Sequence, residues 1–263
     1  MGMIYYKTES DISAMRLSAD LLGRAHAEIA KLIKEGVTTK QLDQRAEEFI
    51  RDHNATPSFY GINNGFSKFP ASLCISVNET VVHGFPSNYS LRDGDIISID
   101  CGVLLNGFHA DSAYTYPVGN VATDVLALLK TTKESLSEGV AAAKIGNRLG
   151  DIGYAIQQYV ERKGYSVVRE LVGHGLGRSL HEPPEVPNYG QRGKGAKIQN
   201  GLVIAIEPMI NLGRRDIVQE RDGWTIRTRD RKPSAHYEHT VAIHSNQTEV
   251  LTTFKYIEEV FKF

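Results

Sequence analysis

Residues 95–116 read DIISIDCGVLLNGFHADSAYTY. Asn106-Gly107 between two apolar runs is a two-residue hairpin signal, because both central positions of that turn need a positive φ. Taking it as the turn sets the register: Leu105 faces Phe108, Leu104 faces His109, Val103 faces Ala110 and Gly102 faces Asp111. Asp100 lies two residues from Gly102 and shares its face. Asp100 and Asp111 are then diagonal neighbours with Cβ atoms roughly 7–8 Å apart. That separation suits two carboxylates gripping one cation, with Gly102 leaving space for it. Two acids on one face repel each other and resist desolvation unless something positive sits there. On these two residues alone, a plainly solvated face explains the pattern equally well.

The pattern returns further on. Asp93-Gly94 through Ile99-Asp100 resembles Asn200-Gly201 through Ile206-Glu207. In both, a glycine leads into an apolar strand that ends in a carboxylate. A second carboxylate follows after a return strand, Asp111 in the first case and Glu238 in the second. The expectation is two related halves, roughly residues 1–120 and 121–263, within a single catalytic domain. A turn glycine before an apolar strand is common, so coincidence stays open at this point.

Around these strands, a helix is expected from a cap at Ser10 or Asp11 to Gly36, carrying Ile12, Met15, Leu22, Ile29 and Leu32. Thr38-Thr39-Lys40-Gln41 has capping-box spacing before a second helix with Leu42, Ala46 and Phe49. Residues 55–72, rich in Pro, Gly, Asn and Phe, read as a long loop. Further helices are expected near 123–137 and 148–163, the latter ended by Gly164. Strands are expected at 73–77, 167–172, 202–207, 239–244 and 248–254. The irregular alternation of helices and strands points to an α+β fold rather than a doubly wound parallel sheet.

Composition narrows the function classes. The 263 residues are 41% apolar, enough for a substantial core, and Lys+Arg (30) balances Asp+Glu (31). No global basic field exists to attract nucleic acid. The apolar runs are too short to span a membrane, and the first residues lack the apolar core of a secretory signal. Met1-Gly2 is not a myristoylation signal, because Tyr6 stands where Ser or Thr belongs. The sequons at Asn78, Asn88 and Asn246 then read as chance matches. Cys74 and Cys101 are too few for a disulfide framework, and a reducing cytoplasm is the expected location.

Residues 173–183 decide the chemistry: Gly173-His174-Gly175-Leu176-Gly177-Arg178-Ser179-Leu180-His181-Glu182-Pro183. The spacing is not the dinucleotide fingerprint, because Arg178 stands where its third glycine belongs. The chain has no H-E-x-x-H and no G-x-S-x-G. Either histidine alone would more often be a packed or surface residue. Taken with Ile99-Asp100, Ala110-Asp111-Ser112, Ile206-Glu207-Pro208-Met209 and Tyr237-Glu238-His239-Thr240, the stretch resembles the type I methionine aminopeptidases of peptidase family M24, in their short bacterial-style form. The resemblance runs from the first helix to about residue 254.

That resemblance implies a pita-bread fold, in which two similar halves close an antiparallel sheet under helices. It implies five metal ligands, Asp100, Asp111, His174, Glu207 and Glu238, holding two divalent ions (Co, Mn, Fe or Zn). Asp111 and Glu238 would bridge the ions. Oxygen-rich ligation with one imidazole agrees with those metals, and four carboxylates balance the charge of two divalent ions. Without metal, raised carboxylate pKa values and a looser site are expected. His109 and His236 share strand faces with Asp111 and Glu238, and by analogy they support ligands rather than ligate.

The implied reaction is attack on the first peptide carbonyl by a hydroxide held between two metals. Glu207 would shuttle the proton, His181 would polarise the carbonyl oxygen, and His83, in Val82-His83-Gly84-Phe85-Pro86, would contact the scissile nitrogen. Without the resemblance, His83 reads as a surface-loop residue. Phe66, Phe69, Cys74, Leu180 and Trp224 match the methionine pocket, although Phe and Trp are more often plain core. The chain departs from the family's pattern with Phe at 66 and 69, Leu180 in place of an aromatic, and a longer 59–69 loop. The implied partners are peptides and nascent chains with an N-terminal Met and a small second residue, met at the ribosome by a monomer. The alternatives are an X-Pro aminopeptidase or prolidase on the same fold, and a non-catalytic peptide-binding relative.

Overall fold

The computed structural model of the chain describes residues 2–262. Its first half runs α1 (Glu9–Ala30), α2 (Thr39–Asp52), β1 (Thr56–Pro57), β2 (Leu73–Val77), β3 (Thr80–Val82), β4 (Ile96–Leu105) and β5 (Phe108–Pro117). The second half continues α3 (Thr123–Ala142), α4 (Leu149–Glu161), β6 (Ser166–Val167), β7 (Gly173–Gly175), β8 (Glu182–Val186), β9 (Val203–Ile206) and β10 (Met209–Asn211). It ends with β11 (Ile217–Gln219), β12 (Ile226–Thr228), β13 (Ser234–His236), β14 (His239–Ile243), β15 (Thr248–Val250) and α5 (Lys255–Val260).

The β4–β5 hairpin keeps the expected register, from Leu105 opposite Phe108 to Gly102 opposite Asp111 and on to Ile96 opposite Pro117. Asn106 and Gly107 take the positive φ that their turn requires. On its other edge β4 pairs with β2 and then β1. The second half builds its own antiparallel sheet in the order β15-β14-β9-β7-β8.

A short ladder of β3 with β12 joins the halves at one edge, and hydroxyl side chains join them at the centre. The Thr240 hydroxyl donates to Asp111 O (2.8 Å) and accepts from Asp111 N–H (3.2 Å). Ser112 Oγ donates to Glu238 O (3.0 Å), and Glu238 N–H donates to Ala113 O (2.9 Å). The seam therefore runs through Asp111 and Glu238. Against the sheets, α1 packs on β4 and β5, and α3 on β9, β10 and β13. One apolar core runs through both halves, from Leu22 and Ile99 to Ile206 and Val241.

Several boundaries differ from the sequence reading. Thr8, not Ser10 or Asp11, caps α1; Asp11 is the reciprocal partner, accepting Thr8 N–H at 3.0 Å. That helix stops at Ala30, and Gly36 lies in the turn beyond. The Thr38–Gln41 capping box forms as expected. Helix α3 runs on to Ala142, because nothing between 137 and 142 breaks it. The strand expected at 167–172 shrinks to Ser166–Val167, and pairing resumes at Gly173. The last strand ends at Val250, before the unpredicted α5.

Candidate active site

Asp100 sits in mid-β4, Asp111 in β5, Glu207 just after β9 and Glu238 just before β14. Pairing of His239 with Ile206 brings Glu238 beside Glu207. A ligand atom from each of Asp111, His174 and Glu238 falls within 4.8 Å of the others. Asp100 and Glu207 line the same cavity as these three. Glu207 Oε1 lies 3.7 Å from His174 Nε2, and Asp111 Oδ2 lies 3.8 Å from it. The structure thus brings all five expected ligands into one connected cluster.

Burial sets the electrostatics. Desolvation pushes Asp100 up to about 7, and the Asp111 carboxyl and the Cys101 N–H beside it only partly offset this. Asp111, Glu207 and Glu238 are pushed well above the carboxylate range by burial and by one another's charge. Burial drives His174 down to about 3, and His181 beside it adds to the effect. A neutral imidazole next to protonated carboxyls is not an ion pair, and 3.7–3.8 Å is too long for a hydrogen bond. Two atoms that ligate one ion at about 2.1 Å each lie roughly 3–4 Å apart.

Asp100 Oδ1, Asp111 Oδ1 and Glu238 Oε1 are buried without a hydrogen-bond partner. Orphaned oxygens on a convergent acid cluster, with one neutral imidazole, fit a hard or borderline divalent cation. The space across from Asp111 is differently used than expected. A Cβ on Gly102 would meet Ser58 Cβ at 2.7 Å, so the chain after β1 fills the gap and carries Phe59 toward the site.

Close backbone approach explains the glycines flanking His174. A Cβ on Gly173 would strike Ala205 O of β9, and one on Gly175 would strike Pro183 O of β8. His174 Nδ1 lies 2.9 Å from Gly175 O, which leaves Nε2 aimed at the acids. The His181 ring stands edge-on to His174, with centroids 4.4 Å apart. His83 adopts φ +58°, rare for a residue with a side chain. Its ring is held beside Trp224 (6.1 Å) and its pKa is driven down to about 4 by burial. Such backbone strain belongs to sites that need one fixed side chain.

Of the two histidines expected to support ligands, His109 turns its Nδ1 to Ser58 Oγ (2.9 Å) instead. His236 Nε2 lies 3.9 Å from Glu207 Oε2, and burial pushes its pKa down to about 3.

A cavity of about 230 Å³ opens beside the acids. Phe59, Ile62, Phe69, Cys74 and Trp224 form its apolar wall, and His83 and His181 also face it. The sequence reading missed Phe59 and Ile62, whose only signal was membership of the aromatic loop.

Phe66 does not line the cavity: it is 76% exposed. Gly61 and Gly65 at positive φ, and Asn64 Oδ1 accepting from Phe66 N–H, turn the loop tip outward. Phe66 lies instead against Gly223. Leu180 is buried with Phe59, Phe69, Ala71 and Cys74, but behind the wall rather than on it.

The profile of metallopeptidase family M24 matches residues 13–245. Methionine aminopeptidase of Clostridium perfringens is 53% identical over 96% of this chain and all of its own length. The chain belongs to the methionine aminopeptidases of metallopeptidase family M24. Among solved structures, methionine aminopeptidase of Rickettsia prowazekii superposes with a TM-score of 0.92 at 39% identity, over 95% of this chain and 100% of that one. The prolidase of Pyrococcus horikoshii shares the fold only: TM-score 0.76 at 20% identity, over 95% of this chain and 64% of the prolidase. The architecture is therefore the pita-bread fold, of the α+β class read from the irregular alternation of helices and strands.

For this family member Cys74 offers a check on the cavity. It pairs with Asp100 across β2 and β4 and lines the wall, whereas Cys101 is fully buried outside it. Burial, with Asp100 and Asp111 adding to it, pushes the Cys74 thiol up, so alkylation at neutral pH should be slow. Once mass spectrometry shows Cys74 modified, cleavage of methionyl peptides is expected to fall in proportion. Full activity at complete modification would remove Cys74 from the pocket.

Proposed function

We propose that this chain removes the N-terminal methionine from peptides and nascent chains whose second residue is small. One observation carries the reading. Four carboxylates, two buried and two half-buried, and a neutral imidazole converge beside an apolar recess of methionine scale, with His83 and His181 facing the same space. Asp100, Asp111, His174, Glu207 and Glu238 would hold two divalent ions of the Co, Mn, Fe or Zn type. Such ions supply a water of lowered pKa and polarise a carbonyl.

The chain's own groups do the rest. Phe59, Phe69, Cys74 and Trp224 hold the methionine side chain and keep bulk water from it. A Glu207 carboxylate oxygen takes the proton released at attack and returns it to the departing amine. A ring N–H of His181 donates to the developing oxyanion. His83, held rigid by its left-handed backbone, contacts the scissile nitrogen.

Among the described residues no helix is long and apolar enough to cross a membrane. A single catalytic unit, acting as a monomer in the cytoplasm and meeting nascent chains at the ribosome, completes this reading.

The test is hydrolysis of Met-Gly, Met-Leu and Ala-Pro peptides by chelated protein with Mn, Fe, Co or Zn returned one at a time. Cleavage of Met-Gly alone, restored by metal, is the expected result. Cleavage of Ala-Pro would move the chain to proline-peptidase chemistry. No turnover despite metal binding would leave a peptide-binding role.

A further inference from the structure

His181 has a catalytic part in the proposed reaction, yet among the described residues its side chain makes no hydrogen bond of its own. Its only close ring neighbour is His174. Its direction is therefore set by the backbone that carries it, the turn from Gly177 to Glu182. That turn rests on an ion pair. Lys7 Nζ lies 2.5 Å from Glu182 Oε2, and the two side chains are only 6% and 9% exposed. The other carboxylate oxygen of Glu182 accepts Ser179 N–H at 3.0 Å. Gly177 N–H donates to Ser179 O (3.0 Å), and Gly177 O accepts His109 N–H (2.8 Å).

Lys7 is itself fixed. Its backbone N–H donates to Gly201 O at 2.6 Å, and its ammonium also reaches Tyr5 O at 3.1 Å. It runs directly beneath the turn: a Cβ on Gly177 would collide with Lys7 Cε and approach Glu182 Oε1 to 3.0 Å. The segment before α1 thus meets the turn at one buried charge contact, next in sequence to His181.

We propose that Lys7 is a positioning residue for His181, acting through Glu182. A buried pair is a costly way to gain stability alone, because desolvation consumes much of the Coulomb attraction. Its geometric effect is larger. It ties Ser179 and Glu182 to a fixed cation and leaves His181 one residue from the anchor. A reacting group displaced by about 1 Å can cost on the order of 10²-fold in rate. The proposal rests on the methionine-excision reading for the meaning of the rate, but not for the imidazole's placement.

The test separates these. Glu182→Asp keeps the charge and pulls the carboxylate back by one methylene. Lys7→Met with Glu182→Leu removes both charges and leaves neither buried alone. Lys7→Arg keeps a cation. Each is made in the native and in the His181→Ala background. Turnover of a Met-Ala peptide, metal binding by calorimetry and the His181 ring resonances by NMR are recorded, with His181→Ala as the assignment control.

The expected result is a kcat at least tenfold lower for Glu182→Asp and for the double replacement. KM and metal affinity should change less than twofold. In the His181→Ala background the same changes should alter kcat less than twofold. Lys7→Arg should retain most of the native rate. The His181 resonances should shift or broaden in Glu182→Asp. Losses that multiply in both backgrounds, or an unchanged kcat with unmoved ring resonances, would overturn the proposal. If the native chain cleaves no methionyl peptide, the excision reading falls. The ring resonances then decide the positioning role alone, and unchanged resonances end it.

Discussion

Glu238→Gln makes the chelated protein more stable above pH 7 and abolishes the stabilisation that Mn or Co gives the native chain. Without metal, the four acids are a source of instability. Burial raises Asp100 to about 7 and drives Asp111, Glu207 and Glu238 higher. A carboxyl raised in the folded chain contributes fully below its unfolded value, near 4, and that contribution is lost as the pH climbs through the folded value. The desolvated histidines act in the opposite direction and in another window. His26 and His83 are depressed to about 4, and His174, His236 and His239 to about 3. They penalise the fold below about pH 6.5, where the unfolded chain binds those protons, and are neutral in both states above it.

Above pH 6.5 the carboxyls therefore act alone. Each that stays protonated in the folded state, where the unfolded chain has lost that proton, costs about 1.4 kcal/mol per pH unit until the pH passes its folded value. In a chain of this length that corresponds to about 2–4 °C in Tm for each kcal/mol. The chelated native protein should melt progressively lower from pH 6.5 to 8.5. Glu238→Gln removes the charge that does most, after burial, to raise Asp111 across the seam, so it should flatten that slope. It also removes one member of the 4.8 Å ligand trio. Metal at about 100 times its Kd adds about 2.7 kcal/mol, so the native chain should gain roughly 5–10 °C and the variant nearly none. Thermal unfolding with and without chelator at four pH values reads both effects. An equal metal shift in both proteins would remove Glu238 from the ligands.

What could be read before folding was what local rules dictate. The Asn106-Gly107 turn sets the β4–β5 register through backbone sterics, so the relation of Asp100 to Asp111 followed from the chain alone. The Thr38–Gln41 cap followed likewise from two adjacent hydrogen bonds. The strand echo forecast that Glu207 and Glu238 would pair, which the β9–β14 register bears out. Tertiary packing decided the rest. Phe66 and Phe69 are equally aromatic, and only the fold of the tip around Gly65 sends one out and the other in. Ser58 filling the space over Gly102 depends on where β1 lands. The short strands β10 to β13 carry too few residues for any periodicity. Lys7 lies far in sequence from Glu182, and nothing local marks it as part of the site.

His181→Ala should lower kcat by about 10²–10⁴-fold while metal binding stays within twofold of the native value. The separation follows from geometry. Metal affinity depends on the acids and His174, whose Nε2 is aimed by its own Nδ1 contact with Gly175 O. His181 touches that set only through the ring contact at 4.4 Å. Removing its ring leaves the orphaned oxygens of Asp100, Asp111 and Glu238 in place. Partial desolvation lowers the His181 pKa from its ordinary value although the residue is exposed, so above that value the ring is neutral and donates one N–H without bringing a cation beside the acids. That donor matters when charge builds on the carbonyl oxygen and little before it, so the loss belongs in kcat rather than KM. His181→Gln, which keeps an N–H donor of similar reach, should recover part of the rate. His181→Phe, which keeps the ring but not the donor, should not. If Phe matched Gln, the ring would act by packing against His174, and the oxyanion role would pass to His83 or to the backbone of the same turn.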